Sequence, residues 1–357
     1  MIESKDKIFK VGLIGYGMAG QVFHGPFIHS VEGLELTRIR ESRAPNIALA
    51  QSRYPNATFT AQVEDIFSDP QIDLVVVATP NASHYELSKR ALEAGKHVVV
   101  EKPFTATSAQ ADELIQLAQE KGRVLTVYHN RRWDSDFKTV QKIVKGEVLG
   151  KLVEYKAHFD RFRPALRENT WKEEDAPGSG IVFDLGSHLI DQALVLFGLP
   201  QEVSADVRVQ RPNSQIADKF EATLYYDNLT VTLSAGLLVR ELSPRYTLHG
   251  DKGSFLKYGM DVQEEALKNG QFPDQNPSWG VEPESMYGNL NTELQGLHFE
   301  GKIESERGDY RDYYRNVYEA ISGQGALAVK PEQARNVIKV VELIMQSSQE
   351  KKRVVFQ

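Results

Sequence analysis

Lys10-Val11-Gly12-Leu13-Ile14-Gly15-Tyr16-Gly17-Met18-Ala19-Gly20 is the stretch that decides the fold. An apolar run at residues 8–14 ends in Gly-x-Gly-x-x-Gly and passes into a helix-like segment at 21–30. Strand, glycine loop and helix, in that order, are what a phosphate-binding turn requires. Gly15 permits a tight turn, Gly17 lets backbone approach a pyrophosphate, and Gly20 lets the helix lie close to the strand. The helix N-terminus adds unpaired N–H groups and partial positive charge. Gly15, Tyr16, Gly17, Met18 and Ala19 are therefore candidate contacts to a bound dinucleotide.

Further apolar runs follow at 34–39, 73–78, 97–100 and 124–128, with helical stretches at 83–94 and 108–121 between them. Gly95 and Gly122 sit where a C-terminal glycine cap belongs. Alternating strands and helices with continuous apolar strands predict a parallel sheet covered on both faces. Beyond residue 128 the pattern changes. Residues 152–161 alternate in period two, and runs at 203–210, 220–226, 229–237 and 245–249 follow with few helices between. Asp227-Asn228 reads as a hairpin turn. Residues 263–300, rich in Gly, Pro, Asn and Gln around Trp279, read as a long loop region with short helices. Pro331 opens an amphipathic closing helix at 333–349. The expected fold class is α/β. A Rossmann domain with a parallel sheet (1–128) precedes an α+β domain with an open, mostly antiparallel sheet (129–357). The last helix is a candidate to pack back on the first domain. A free sheet face is a candidate subunit contact.

Composition narrows the chemistry. The 357 residues contain no cysteine, which excludes disulfide frameworks, cysteine-ligated metal and thiol nucleophiles. A net charge of −7 argues against nucleic acid as a partner. No apolar run approaches the ~20 residues of a membrane span. The polar start, residues 1–7, lacks the regions of a signal peptide. A soluble, cytoplasmic protein is expected. No His-x-x-x-His or His-Glu-x-x-His spacing occurs, so no metal is expected.

Three further segments carry candidate chemistry. Arg40-Glu41-Ser42-Arg43 ends the second strand. An acid there binds a ribose 2′-hydroxyl, whereas an Arg accommodates a 2′-phosphate. Both signals are present. Two arginines and a hydroxyl form the more coherent phosphate site, so Ser42 and Arg43 point to NADP, with NAD as the alternative through Glu41. Thr79, Pro80, Asn81 and His84 follow the third apolar run, where open α/β sheets bind ligands. Asn81 or Ser83 can cap the next helix, and His84 reads as a helix-surface histidine within reach of the cofactor. Glu101-Lys102-Pro103 follows the fourth run, so the Lys102 ammonium can hold a substrate oxygen, and the bond before Pro103 is a candidate cis peptide. Asp184 and His188, four apart, share one face if helical, and a carboxylate-oriented histidine is a proton-transfer unit. A helix N-terminus with a core histidine is the competing reading. Asp191 can instead pair with Lys or Arg.

Taken in order, the glycine loop, Thr79-Pro80-Asn81, Glu101-Lys102-Pro103 and Asp184-x-x-x-His188 resemble the Gfo/Idh/MocA oxidoreductase family. Val22-Phe23-His24, residues 128–134, Arg161-Phe162-Arg163-Pro164 and residues 184–188 look like its NADP-dependent scyllo-inositol dehydrogenase branch. The resemblance implies hydride transfer between nicotinamide and a secondary alcohol or ketone carbon of a cyclic polyol or sugar, scyllo-inositol and its inosose first. It implies Lys102, Asp184 and His188 as the catalytic set, and Glu101 and Lys102 beside the cofactor. Asn130, Arg131, Arg163 and Trp171 are candidate substrate contacts. A homodimer or homotetramer through the C-terminal sheet is expected. Another sugar or dihydrodiol dehydrogenase, or a non-catalytic cofactor-binding sensor, are the alternatives.

Overall fold

The first sheet shows why its strands read as uninterrupted apolar runs. In the computed structural model, which describes residues 7–168 and 170–357, six parallel strands form it. They are β1 (Phe9–Ile14), β2 (Leu34–Arg40), β3 (Thr58–Thr60), β4 (Leu74–Val77), β5 (His97–Val100) and β6 (Leu125–Val127). The order is β3-β2-β1-β4-β5-β6, the doubly wound arrangement whose switch point lies between β1 and β4. Every residue of β4 is buried, as a strand covered on both faces must be. Gly95 (φ 74°) and Gly122 (φ 61°) take the left-handed conformation just past the helices His84–Glu93 and Ser108–Lys121, as expected of C-terminal caps. The opening residues 1–6, part of the segment read for a signal peptide, lie outside the described residues.

The second sheet has nine strands: β7 (Leu152–His158), β8 (Glu202–Arg208), β9 (Lys219–Tyr225), β10 (Thr230–Gly236), β11 (Tyr246–Gly250), β12 (Gly253–Lys257), β13 (Gly288–Leu294), β14 (Leu297–Ile303) and β15 (Val354–Val355). Only the β7–β10 pair is parallel. Tyr155, Leu224, Leu233 and Leu248 face a core shared with Phe137, Val140, Leu189, Ile190, Val341 and Ile344 from three helices. On β7 the alternate residues Glu154, Lys156 and His158 are only half-buried, so this strand has one covered face and one more open face.

The 263–300 segment departs from the loop expectation. Its second half is the hairpin β13–β14, joined at Gln295 (φ 52°) and Gly296 (φ 80°). Two successive positive φ values match the twist of a two-residue hairpin turn. The pattern was hidden because Gly288, Leu290 and Thr292 alternate with Asn289, Asn291 and Glu293, and β14 is largely exposed. Trp279, expected within that loop, is fully buried.

Contacts divide the chain into two units. One comprises residues 7–130, Glu264–Trp279 and Tyr310–Arg335. The other comprises Arg131–Gln263, Gly280–Asp309 and Asn336–Gln357. Two late segments thus return to the first unit, beyond a single cut at residue 128. The closing helix Pro331–Glu350 contributes to both: Arg335 bonds Asp112 at 2.9 and 3.0 Å, while Val337 to Ile344 join the second core.

Asp191 does pair with an arginine. Arg132 donates Nε to one carboxylate oxygen at 2.8 Å and Nη2 to the other at 2.6 Å, with both side chains buried. Removing one partner leaves the other charge buried alone. Arg132→Ala is therefore expected to lower unfolding stability by about 3–5 kcal/mol. Urea unfolding followed by circular dichroism checks this.

Candidate functional site

The glycine loop leaves β1 at Gly15, whose φ of 101° is open only to glycine. A Cβ there would run into the carbonyl of Ala78, just past β4, and a Cβ on Gly20 would run into the Gly15 carbonyl. Gly17 differs. The nearest atom to a Cβ there is Arg43 Nη2, at 3.7 Å, so the chain itself leaves that place open. Two positions closed by the protein and one open toward its surface suit a loop that admits a pyrophosphate to its backbone. The helix that follows begins as a π-helical stretch, Ala19–His24, before the α-helix Gly25–Ser30. Met18 is exposed, whereas the Tyr16 side chain is buried edge-on to Tyr54 at 6.3 Å.

The acid at the end of β2 is fully engaged. Glu41 Oε1 accepts the amides of Ser42 (2.9 Å) and Arg43 (3.0 Å) and Arg43 Nε (2.9 Å). Its Oε2 accepts Arg43 Nη2 (2.6 Å) and Asn46 Nδ2 (2.9 Å). The Glu41 side chain is 3% exposed and that of Arg43 62%. Burial alone would raise the Glu41 carboxyl, but the hydrogen bonds from Arg43, Asn46 and the two amides outweigh it and hold it at about 2. Asn46 also donates to the Tyr16 carbonyl at 3.0 Å, tying this turn to the glycine loop.

Thr79 to Asn81 follow β4 and Glu101 to Pro103 follow β5, so the candidates gather at the C-terminal edge of the sheet. The Lys102–Pro103 bond is cis. Ser83 does not cap its helix; its hydroxyl lies 2.7 Å from Thr79 Oγ1 and 2.8 Å from the Pro80 carbonyl. His84 is not on the helix surface. It is fully buried, with Nδ1 2.7 Å from the Pro103 carbonyl and Nε2 3.0 Å from that of Thr79. Burial lowers its pKa. Glu101 is buried as well, and one of its oxygens accepts the Lys102 amide at 2.9 Å. Burial would raise its pKa, yet the hydrogen bond from His24 and nearby positive charge bring it below the usual carboxylate range.

In the second unit, Asp184 lies in a π-helical turn, Val182–Gly186, and His188 in the first turn of the α-helix Ser187–Phe197. Such turns are frequent at functional sites. Asp184 is 41% exposed, with its carboxylate 3.9 Å from the Lys172 ammonium. His188 is buried and lies nearly parallel to Phe159, centroids 6.2 Å apart. Phe159 also carries the guanidinium groups of Arg131, Arg161 and Arg245 at 4.9–5.0 Å. Sequence reasoning missed Phe159 and Lys172: the first lies in the alternating run at 152–161 as one more apolar residue, and the second carries no local signal. Trp171 opens a short turn, Trp171–Glu173, that Glu173 pins to the buried Arg211 at 2.8 Å. The Trp171 side chain is exposed. Arg131 is buried and paired with Asp134 at 3.2 Å. Arg163 is half-buried, with its amide bound to the Leu237 carbonyl at 2.7 Å. Asn130, in the first unit, is buried just past β6. Among the described residues no three His, Asp or Glu groups are placed to hold a metal, and no helix is long and apolar enough to cross a membrane.

A doubly wound sheet with this loop, followed by an α/β domain carrying Asp184 and His188, defines a dinucleotide-binding oxidoreductase fold. The chain belongs to the Gfo/Idh/MocA oxidoreductase family: residues 9–129 match its NAD-binding Rossmann fold and 141–356 its C-terminal α/β domain. It is 41% identical to the scyllo-inositol 2-dehydrogenase (NADP(+)) IolW of Bacillus subtilis, covering 100% of this chain and 99% of that one. It is 44% identical to the oxidoreductase YdgJ of Escherichia coli, covering 95% and 96%. The D-glucoside 3-dehydrogenase of Escherichia coli is 25% identical, covering 97% of each. A solved oxidoreductase structure from Bacillus subtilis superposes with a TM-score of 0.95 at 40% identity, covering 99% of each chain.

The Glu41 pairing carries a pH dependence. Its folded pKa lies below the unfolded value of about 4.3, so its stabilisation is present above that pH and is lost as the pH falls toward about 2. In Glu41→Gln that loss is absent. The drop in urea midpoint between about pH 5 and pH 2.5 is expected to be smaller than in the wild type.

Proposed function

We propose that this oxidoreductase uses NADP in preference to NAD and moves a hydride between the nicotinamide and a secondary alcohol or ketone carbon of a cyclic polyol or sugar. Scyllo-inositol and its inosose are the first candidates. The observation that carries the cofactor choice is the state of Glu41. A carboxylate with both oxygens occupied by Arg43, Asn46 and two amides is poorly placed to accept ribose hydroxyls. Arg43, exposed beside the open side of Gly17, would be the group to meet a 2′-phosphate, which supports the same choice. Full-length similarity to an NADP-dependent scyllo-inositol 2-dehydrogenase supports both cofactor and substrate class.

Gly15 to Ala19 would hold the pyrophosphate by backbone amides, with Ser42 and Arg43 at the 2′-phosphate and Thr79, Pro80, Asn81, His84 and Glu101 shaping the cofactor edge of the sheet. Hydride exchange at the nicotinamide is the chemistry a bound dinucleotide supplies. In oxidation, His188 Nε2 or Nδ1 takes the hydroxyl proton; in reduction the same nitrogen returns it. Asp184 orients the imidazole and stabilises its charged form. Lys102 donates a hydrogen bond to the reacting oxygen and stabilises the negative charge that develops there. Asn130, Arg131 and Arg163 bind hydroxyls, and Trp171 walls the ring. Assembly is through the second sheet as a homodimer or homotetramer.

Initial rates with NADPH and NADH across a panel of inositols, inososes and simple sugars test the reading. Turnover with NADPH and an inosose supports it; cofactor binding without turnover across the panel supports a sensor instead. Arg43→Ala is expected to weaken NADPH binding roughly tenfold or more, the value of a charge-assisted contact, while NADH changes little. Equal weakening of both cofactors would remove Arg43 from the specificity site. Lys102→Met is expected to lower kcat by about 10²-fold or more with NADPH affinity retained.

A further inference from the structure

His24 is fully buried at the end of the π-helical stretch that follows the glycine loop, and no role assigned above uses it. Its Nε2 lies 3.0 Å from Glu101 Oε1 and its Nδ1 2.6 Å from the Tyr314 hydroxyl. A carboxylate only accepts, so Nε2 carries the proton and donates to Glu101. The Tyr314 hydroxyl pairs with Nδ1 whether it donates to that nitrogen or accepts from it, so all three groups are satisfied. The other Glu101 oxygen accepts the amide of Lys102 at 2.9 Å. A continuous chain, Tyr314 to His24 to Glu101 to the Lys102 peptide, is thereby closed inside the first unit. The Tyr128 ring lies tilted at 46° against the His24 ring, centroids 4.4 Å apart, and Tyr313 packs edge-on against Tyr128 at 4.8 Å, so aromatic packing confines the imidazole as well. On the far side of Lys102, the Pro103 carbonyl lies 2.7 Å from His84.

Burying a carboxylate, an imidazole and a phenol is costly unless each is paired, and apolar side chains of the same volume would serve packing as well. What this arrangement adds is direction: it ends at the peptide that carries Lys102. We propose that His24 and Tyr314 are positioning residues for Lys102, acting through Glu101. The proposal rests on Lys102 acting on the substrate oxygen, as read above. Tyr314 comes from the helix Arg311–Ile321, so the late return of the chain to the first unit completes the support of a residue that follows β5.

Hydrogen–deuterium exchange at the Lys102 amide reads the positioning directly, without substrate. His24→Phe keeps an aromatic ring and removes both hydrogen bonds. It is expected to speed Lys102 amide exchange about tenfold and to lower kcat about tenfold or more, with the NADPH dissociation constant within about threefold of wild type. His24→Gln, whose amide can still donate to Glu101, is expected to restore most of both. Tyr314→Phe removes a single oxygen and should give a smaller effect of the same kind; it carries the test if His24→Phe does not fold. Unchanged exchange in His24→Phe, or in Tyr314→Phe where that variant stands in, overturns the proposal. Faster exchange with wild-type kcat also overturns it, provided Lys102→Met is inactive. If Lys102→Met keeps full turnover, the role of Lys102 itself fails, and the exchange result still judges the support.

Discussion

At the end of β1 the chain turns through Gly15 against the carbonyl of Ala78, with no room for a side chain. That close approach fixes where β1 and β4 lie at the switch point of the first sheet. The helix after the loop is seated by the same kind of contact, Gly20 against the Gly15 carbonyl. With those two approaches in place, the ends of β2, β4 and β5 fall along one edge. The turn at Glu41, the Thr79–Pro80 exit and Lys102 each inherit their place from it.

Around that edge, buried charge organises backbone. Glu41 gathers five donors, two of them amides of its own turn, and in doing so sets Arg43 above Gly17. Glu101 accepts the amide of the residue after it and the imidazole of His24. His84 reaches two carbonyls, one in the segment after β4 and one in the segment after β5. Each group is costly to bury alone and is stabilised only in one arrangement, which is how polar groups specify geometry that apolar packing leaves loose.

The second unit solves a different problem. Phe159, just beyond β7 of its half-open sheet, is a plate against which His188 and three guanidinium groups rest. Cation–π and stacking contacts of this kind hold side chains in register without consuming their hydrogen-bonding groups. The π-helical turn at Val182–Gly186 then presents Asp184 toward solvent while His188, one turn on, is buried.

The parallel sheet, the glycine loop and the antiparallel character of the second half are legible in the amino-acid order alone. Each is written in local periodicity, or in a few adjacent residues whose spacing has one physical use. What depends on distant partners is visible only once the chain has folded. In Arg40-Glu41-Ser42-Arg43, that Asn46 and the turn amides occupy the carboxylate is visible only in the folded chain. His84 looks like a surface histidine because one face of its helix is polar, yet its ring is sealed by carbonyls from two other segments. The β13–β14 hairpin is nearly invisible in a stretch of Asn, Gly and Glu, since pairing with β12 holds it in the sheet and Leu290 is the core side chain that β13 contributes. His24 and Tyr314 stand 290 positions apart, and no local pattern can announce a hydrogen bond that the chain closes only after folding back on its first unit.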